Sequence, residues 1–380
     1  MGWLDKLKER KDTLFYVTYA IWFSTSLFWG RSTLGSFFGA DPAFLLKKVC
    51  YPVCAVLLLL VFCLGRNFRL RQMLLAGLLV FAFGIGYVMS GSGTFFMQMI
   101  FIIAAEGVDL KKMPHVTLGI QCIVIPLIIV LALTGVMENI TVFYNRRVGA
   151  AAFRQALGFK HPNALGAQTV QLCICWLWLR WEKWKWHDYV SFFALAYFTY
   201  KVSNSYTSVV IILLIAFMAY LYKQLLKTSH AGILEKGICA CVAFIPMVSL
   251  LISYLYVGTN KAMVFFDRVI SLRFSRANEF LLSHNVSLFG QWIPEEIGTD
   301  NTYANFVVKF GVVILALIVW GMFRLAQYAI RRHMQPLLIS IFIYMVYGLT
   351  EGYSFQMVFN FTLIYLVYAI WEDGRAEARR

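Results

Sequence analysis

Apolar runs of about 17 to 25 residues recur from one end of this chain to the other, separated by short polar connectors. At that length scale the pattern predicts about twelve helical spans: 13–30, 44–64, 73–90, 93–106, 115–135, 164–180, 188–202, 205–222, 237–257, 303–323, 336–350 and 355–371. The fourth, seventh and eleventh are short. Two connectors depart from the pattern by their length, 136–163 and 258–302. In the second, Phe265, Phe266, Val269, Leu272, Phe280 and Leu281 alternate with charges at roughly helical spacing, which predicts amphipathic helices lying on a membrane interface. The chain therefore reads as all-α, a single polytopic transmembrane domain over 1–380 with two long loops.

Composition agrees with this pattern, since 60% hydrophobic residues is far above what a soluble domain carries. The first segment, MGWLDKLKERKDTLFYVTYAIWF, opens with a basic leader, but its apolar run continues through Trp29 without a small-residue cleavage site. It reads as a retained first helix and not as a signal peptide. Lys6 stands where a myristoylation signal has Ser or Thr. All eight cysteines fall inside apolar runs, where a thiol packs as a small hydrophobe. Cys173/Cys175 and Cys239/Cys241 are spaced two apart, which on a helix turns them to different faces and argues against zinc. No cofactor or metal is expected.

The net charge is +15, but Lys and Arg are dispersed among connectors and form no stripe on a soluble domain, which argues against nucleic acid. Membrane lipids and a phosphate-bearing substrate suit such a surface better. When alternate connectors are assigned to alternate sides, one side collects Lys6, Lys8, Arg10 and Lys11, then Arg66 and Arg69, Lys111 and Lys112, Lys183 and Lys185, Lys223 and Lys227, Arg331 and Arg332, and finally Arg375, Arg379 and Arg380. Positive charge favours the cytoplasm, so both termini are expected inside and both long loops outside. Trp176, Trp178, Trp181, Trp184 and Trp186 cluster at the cytoplasmic end of the sixth span and read as an interfacial belt.

The two outer loops hold the candidate chemistry. Besides Arg146 and Arg147, the first carries Arg154, Lys160 and His161 and runs through Pro162 and Asn163 into a span. Pro sets the turn and Asn is placed to cap free amides, giving a helix start flanked by cations that favours an anion. In the second loop Arg273 and Arg276 are three apart on one helical face, a spacing that can hold a diphosphate by forked hydrogen bonds. For each loop the competing reading is structural: a capped helix binding lipid head groups, or a snorkelling interfacial helix. Asp300 stands before the tenth span as either its cap or a base. Trp292 is the candidate for sugar stacking, and the adjacent Glu295 and Glu296 point apart in most backbones.

Taken together, Arg154 to Gly166, Ser203-Asn204-Ser205, Ser271 to Phe274, Leu288-Phe289-Gly290, Asp300-Asn301-Thr302-Tyr303 and Lys309-Phe310-Gly311 resemble the O-antigen polymerase and ligase superfamily. The branch most resembled is the bacterial oligosaccharide repeat-unit polymerases, which build capsular and other surface polysaccharides. The likeness runs from about residue 150 to the end, including Glu351 and Asn360; the first five spans match only in hydropathy. It implies a multi-span, GT-C-like, metal-independent glycosyltransferase at the outer face of the bacterial cytoplasmic membrane. Donor and acceptor would be oligosaccharides on undecaprenyl pyrophosphate, with a flippase and a chain-length regulator as further partners.

Carried over by position, Arg154 and Arg273 match the two loop arginines and would neutralise the leaving diphosphate, helped by Lys160 and Arg276. His161, Pro162 and Asn163 match the segment before the following helix, while Asn301, Tyr303 and Glu351 stand in motifs that imply substrate contact. Asp300 occupies the place of the ligase branch's histidine, which favours polymerase over ligase. As bases, Asp300, His161 and Glu351 rank in that order, and inversion at the anomeric carbon is expected. The alternatives are a ligase of the same superfamily and, outside enzymes, a flippase for lipid-linked oligosaccharides. The flippase expects charges along a midplane path, and the mid-span sequences are almost free of them.

Overall fold

The structure is a computed structural model, and it describes residues 3–37, 45–64, 70–145, 151–228, 230–294 and 297–371. Arg66, Arg69, Arg146, Arg147, Glu295, Glu296, Arg375, Arg379 and Arg380 lie outside the described residues, as do the side chains of Lys6 and Lys8. The chain is 76% helical and membrane-embedded. In order it forms α1 (Trp3–Thr25), α2 (Tyr51–Cys63), α3 (Leu70–Ser90), α4 (Thr94–Ala104), α5 (Met113–Leu133), strands β1 (Thr141–Asn145) and β2 (Ala151–Gln155), and α6 (Pro162–Arg180). Then come α7 (Trp186–Val202), α8 (Tyr206–Lys227), α9 (Ala231–Tyr254), α10 (Lys261–Val269), α11 (Arg273–Ser283), α12 (Thr302–Lys309), α13 (Val312–Arg331), α14 (Gln335–Tyr347), a 3₁₀ run (Phe361–Leu366) and α15 (Val367–Trp371). Among the described residues five helices are long and apolar enough to cross a membrane: α3, α8, α9, α13, and α5 with its preceding turn.

Two compact units divide the chain. The first comprises Met1–Arg66 and Gly107–Leu221. Its core forms where α1 packs on α2 and α5, burying Phe15, Tyr19, Trp22 and Phe23. Tyr19 and Thr117 share a hydrogen bond of 3.0 Å between α1 and α5, and Gln121 Nε2 donates to Gln168 Oε1 at 2.8 Å between α5 and α6. Such inter-helix bonds contribute about 0.6 kcal/mol each among transmembrane helices, where apolar burial gives little drive. At the α6–α7 turn the fully buried Asp188 accepts from Trp176 Nε1 at 3.0 Å, Arg180 Nε at 3.1 Å and the Lys185 amide at 2.7 Å. The expected tryptophan belt is thus only partly a belt. Trp186 is exposed, whereas Trp181 is buried and Trp176 ties two helices together.

Asn67–Glu106 and Tyr222–Arg380 form the second unit. Here α9 packs against α11, α12, α13 and α14, and the C-terminal stretch from Phe355 to Trp371 is buried almost throughout. Asn360 shapes that stretch: Oδ1 accepts from the Thr362 amide at 3.2 Å and Nδ2 donates to the Ser354 carbonyl at 2.7 Å.

Three expectations are corrected. The first long loop carries an antiparallel two-stranded ribbon, β1–β2, pairing Thr141 with Gln155 and Val142 with Arg154, where no strand was expected, within a chain that is otherwise all-α. The β-branched Thr141 and Val142 and the aromatic Phe143 and Tyr144 suit a strand better than a coil. The tenth span is not one helix, because Gly311 at φ +91° separates α12 from α13 although the apolar run is unbroken. The first amides of α13 are satisfied from elsewhere in the chain, Val312 N donating to Ser287 O and Val313 N to Leu288 O, both at 3.0 Å. The twelfth span is replaced by turns, the 3₁₀ run and the five-residue α15.

Candidate anion-binding sites

In the first unit, β2 presents Arg154 to the start of α6. Its Nε donates to the Ser203 carbonyl at 2.9 Å, and Nη2 donates to Asn163 Oδ1. Asn163 is buried at the second position of α6, and its side chain receives Arg154 instead of capping the helix. The cap is His161, whose Nδ1 accepts from the Asn163 amide at 3.1 Å, with Pro162 at the first helical position. With Nδ1 accepting, a neutral ring carries its proton on Nε2, which leaves the exposed His161 able to donate from that nitrogen. Lys160 is exposed, and its amide donates to Arg31 O at 3.0 Å, tying the loop to the residues after α1. Gly158 has φ +84°, and a Cβ there would fall 3.0 Å from the Ile128 carbonyl, so the segment seats against α5 only with glycine.

The second unit builds its site around Arg273, the first residue of α11. The corner before it is left-handed at Ser271 and Leu272, both at φ 62°. Such a conformation costs about 1–3 kcal/mol per residue. Asp267, fully buried, offsets this by accepting from the Phe274 and Ser275 amides at 2.8 and 3.2 Å, and the Leu272 amide donates to Asp267 O at 2.7 Å. The Arg273 side chain is only 9% exposed and meets two carboxylates. Nη2 donates to Glu351 Oε1 at 3.1 Å, Nη1 pairs with Asp300, and Nε has no hydrogen-bond partner among the described residues. The carboxylates differ in access, Glu351 being 1% exposed and Asp300 41%.

Asp300 does not cap the next helix. Its neighbour Asn301 does, with Oδ1 accepting from the Tyr303 and Ala304 amides at 3.0 and 3.1 Å and Nδ2 donating to Ser249 Oγ at 2.8 Å. Asn301 and Tyr303 are fully buried, and the Tyr303 hydroxyl donates to Met345 O at 2.5 Å. Both side chains thus make their polar contacts within the unit. Glu351 is likewise enclosed, and its backbone carbonyl accepts from Thr302 Oγ1 at 2.6 Å. Arg276 is exposed on α11, one turn from the buried Arg273, so the two do not share an environment. Trp292 is 70% exposed and lies across Gly91, whose added Cβ would fall 2.9 Å from the indole.

Two further motifs meet here. Gly290 (φ +87°) and Gly311 (φ +91°) place backbone against backbone, and Gln291 N donates to Lys309 O at 3.2 Å. A Cβ on either glycine would enter the other strand of this crossing. Sequence reasoning missed the role of Asp267; its position six residues before an arginine gives no distinct capping signal. No protein family, curated protein or solved structure matches the chain.

Proposed function

We propose that the chain is a polysaccharide polymerase that transfers a growing glycan from undecaprenyl pyrophosphate onto a lipid-linked repeat unit, with inversion and without a metal. It would work at the outer face of the bacterial cytoplasmic membrane, as a multi-span protein with both termini inside. One observation carries this reading: a buried arginine held by one enclosed carboxylate and one exchangeable carboxylate. Glu351 fixes the guanidinium in place, while Asp300 occupies the side that faces water until a stronger anion arrives. A diphosphate offers more charge than a carboxylate and can take that side in a forked, charge-assisted contact.

The exchange gives each group a step. The acceptor hydroxyl oxygen bonds to the anomeric carbon as the carbon–oxygen bond to phosphate breaks, and the electron pair leaves on the diphosphate. Arg273 stabilises that charge, with each charge-assisted contact contributing about 1.5–3 kcal/mol. Asp300, released from Arg273, takes the hydroxyl proton. For the first unit the resemblance implies an anion-binding duty for Arg154, whose guanidinium is fixed by Asn163 and the Ser203 carbonyl.

The test is incubation of the purified chain, in EDTA, with the lipid-pyrophosphate-linked repeat unit of its host. A product ladder spaced by whole repeat units is expected. Transfer only to an added lipid-core or protein acceptor would identify a ligase instead. Movement of intact lipid-linked oligosaccharide between leaflets of a vesicle, with no transfer, would identify a flippase.

A further inference from the structure

The second unit encloses a cavity between α3, α4, α13 and the C-terminal run from Phe361 to Trp371. Its wall is apolar, with Phe83, Ile102, Ile318, Phe355 and Leu366 among its residues. Among the described lining residues the only amide is Gln98, which is 4% exposed and whose Nε2 has no hydrogen-bond partner among the described residues. An unpaired donor in an apolar wall is unfavourable, so the wall is suited to an occupant that brings an acceptor oxygen along with its hydrocarbon.

The position of Gln98 narrows the choice. It lies four residues into α4, about 6 Å along the axis from the helix start, and α4 begins directly after the Gly91–Gly93 connector. The amide is thus close to the end of an inserted element, at the level where glycerol esters border the hydrocarbon core. Both α4 and the Phe361–Trp371 run are short apolar elements, at about 16 Å and about 20 Å respectively against a core of about 30 Å. Beside the full-length α3 and α13, they leave hydrocarbon depth that protein does not fill. Trp320, 45% exposed, is the one exposed side chain among the described lining residues.

We propose that this cavity binds the ester-linked acyl chain of a membrane phospholipid, with Gln98 Nε2 donating to the ester carbonyl and the chain lying along α13. The first acceptor on a polyprenyl carrier is its charged phosphate, which a buried apolar wall suits less than the neutral carbonyl of an ester. The occupant is therefore a resident lipid and not the glycan carrier, and the inference stands apart from the proposed reaction.

Native mass spectrometry of the full chain in detergent tests it with three probes: dioleoyl phosphatidylglycerol, its dialkyl ether analogue and undecaprenyl phosphate. The ester lipid should bind, and the ether lipid about ten-fold more weakly for want of the carbonyl. Gln98→Leu, close in volume, should lower ester binding to the ether level. Equal binding of ester and ether lipid to the wild type overturns the proposal, and that comparison needs no variant to fold. Preferred retention of undecaprenyl phosphate also overturns it, assigning the cavity to the carrier. Failure of any probe to bind does the same.

Discussion

Arg273 is held by two carboxylates that differ in their access to water, and the difference separates their expected effects. Asp300→Asn should lower kcat by about 10²-fold through loss of the base and also lower KM, because a neutral amide competes less with a diphosphate for the guanidinium. A purely structural ion pair would show no such opposed change, so steady-state kinetics on the lipid-linked substrate decides. Glu351→Ala should act on stability, at about 3 kcal/mol, since the one enclosed countercharge of the buried arginine is removed; the midpoint of thermal unfolding in detergent measures it. Arg154→Ala and Arg273→Ala should each lower turnover by about 10²- to 10³-fold, and near-normal turnover in both would end their assignment to the reaction. The importance of Arg273 was legible in the sequence, but its environment was not. Arg276 shares its side-chain type and loop, yet the two differ in burial because the corner at Ser271 and Leu272 aims only the first inward. Similarly, Asp300 and Asn301 are adjacent good caps, and only the fold determines that the amide takes the helix and the acid takes the arginine.

Amphipathic spacing in the second loop was readable, and α10 and α11 form there, with Phe265, Phe266 and Val269 left exposed and Ala277 and Phe280 buried. Hydropathy alone was a poor guide to continuity. It merged α12 and α13 into one span, because Phe310 and Gly311 interrupt a helix without interrupting an apolar run. The glycine crossing at Gly290 and Gly311 explains that break and gives a stability prediction. Gly311→Ala should cost at least about 1–3 kcal/mol from its positive φ alone, with more from the Cβ meeting the Leu288 carbonyl. Loss of thermal stability with unchanged transfer kinetics in the surviving fraction would place the crossing in the scaffold; unchanged stability would contradict the geometry.

At the scale of the whole molecule, the membrane class followed from composition and the five long apolar helices agree with it. Charge bias adds a sidedness that labelling can check. A cysteine replacing Trp292 should react with a membrane-impermeant maleimide added outside intact cells, whereas one replacing Lys183 should react only after permeabilisation, each compared with the wild-type background. The reverse pattern would invert the orientation. One consequence concerns biosynthesis. Arg273 and Glu351 lie 78 residues apart, so as the chain emerges from the ribosome the arginine is made long before its enclosed counter-ion. Until residue 351 is inserted, Asp300 is the only carboxylate of the pair available to neutralise it. A nascent chain halted before that point would expose an incompletely matched charge to the insertion machinery, a condition that insertion of residue 351 removes.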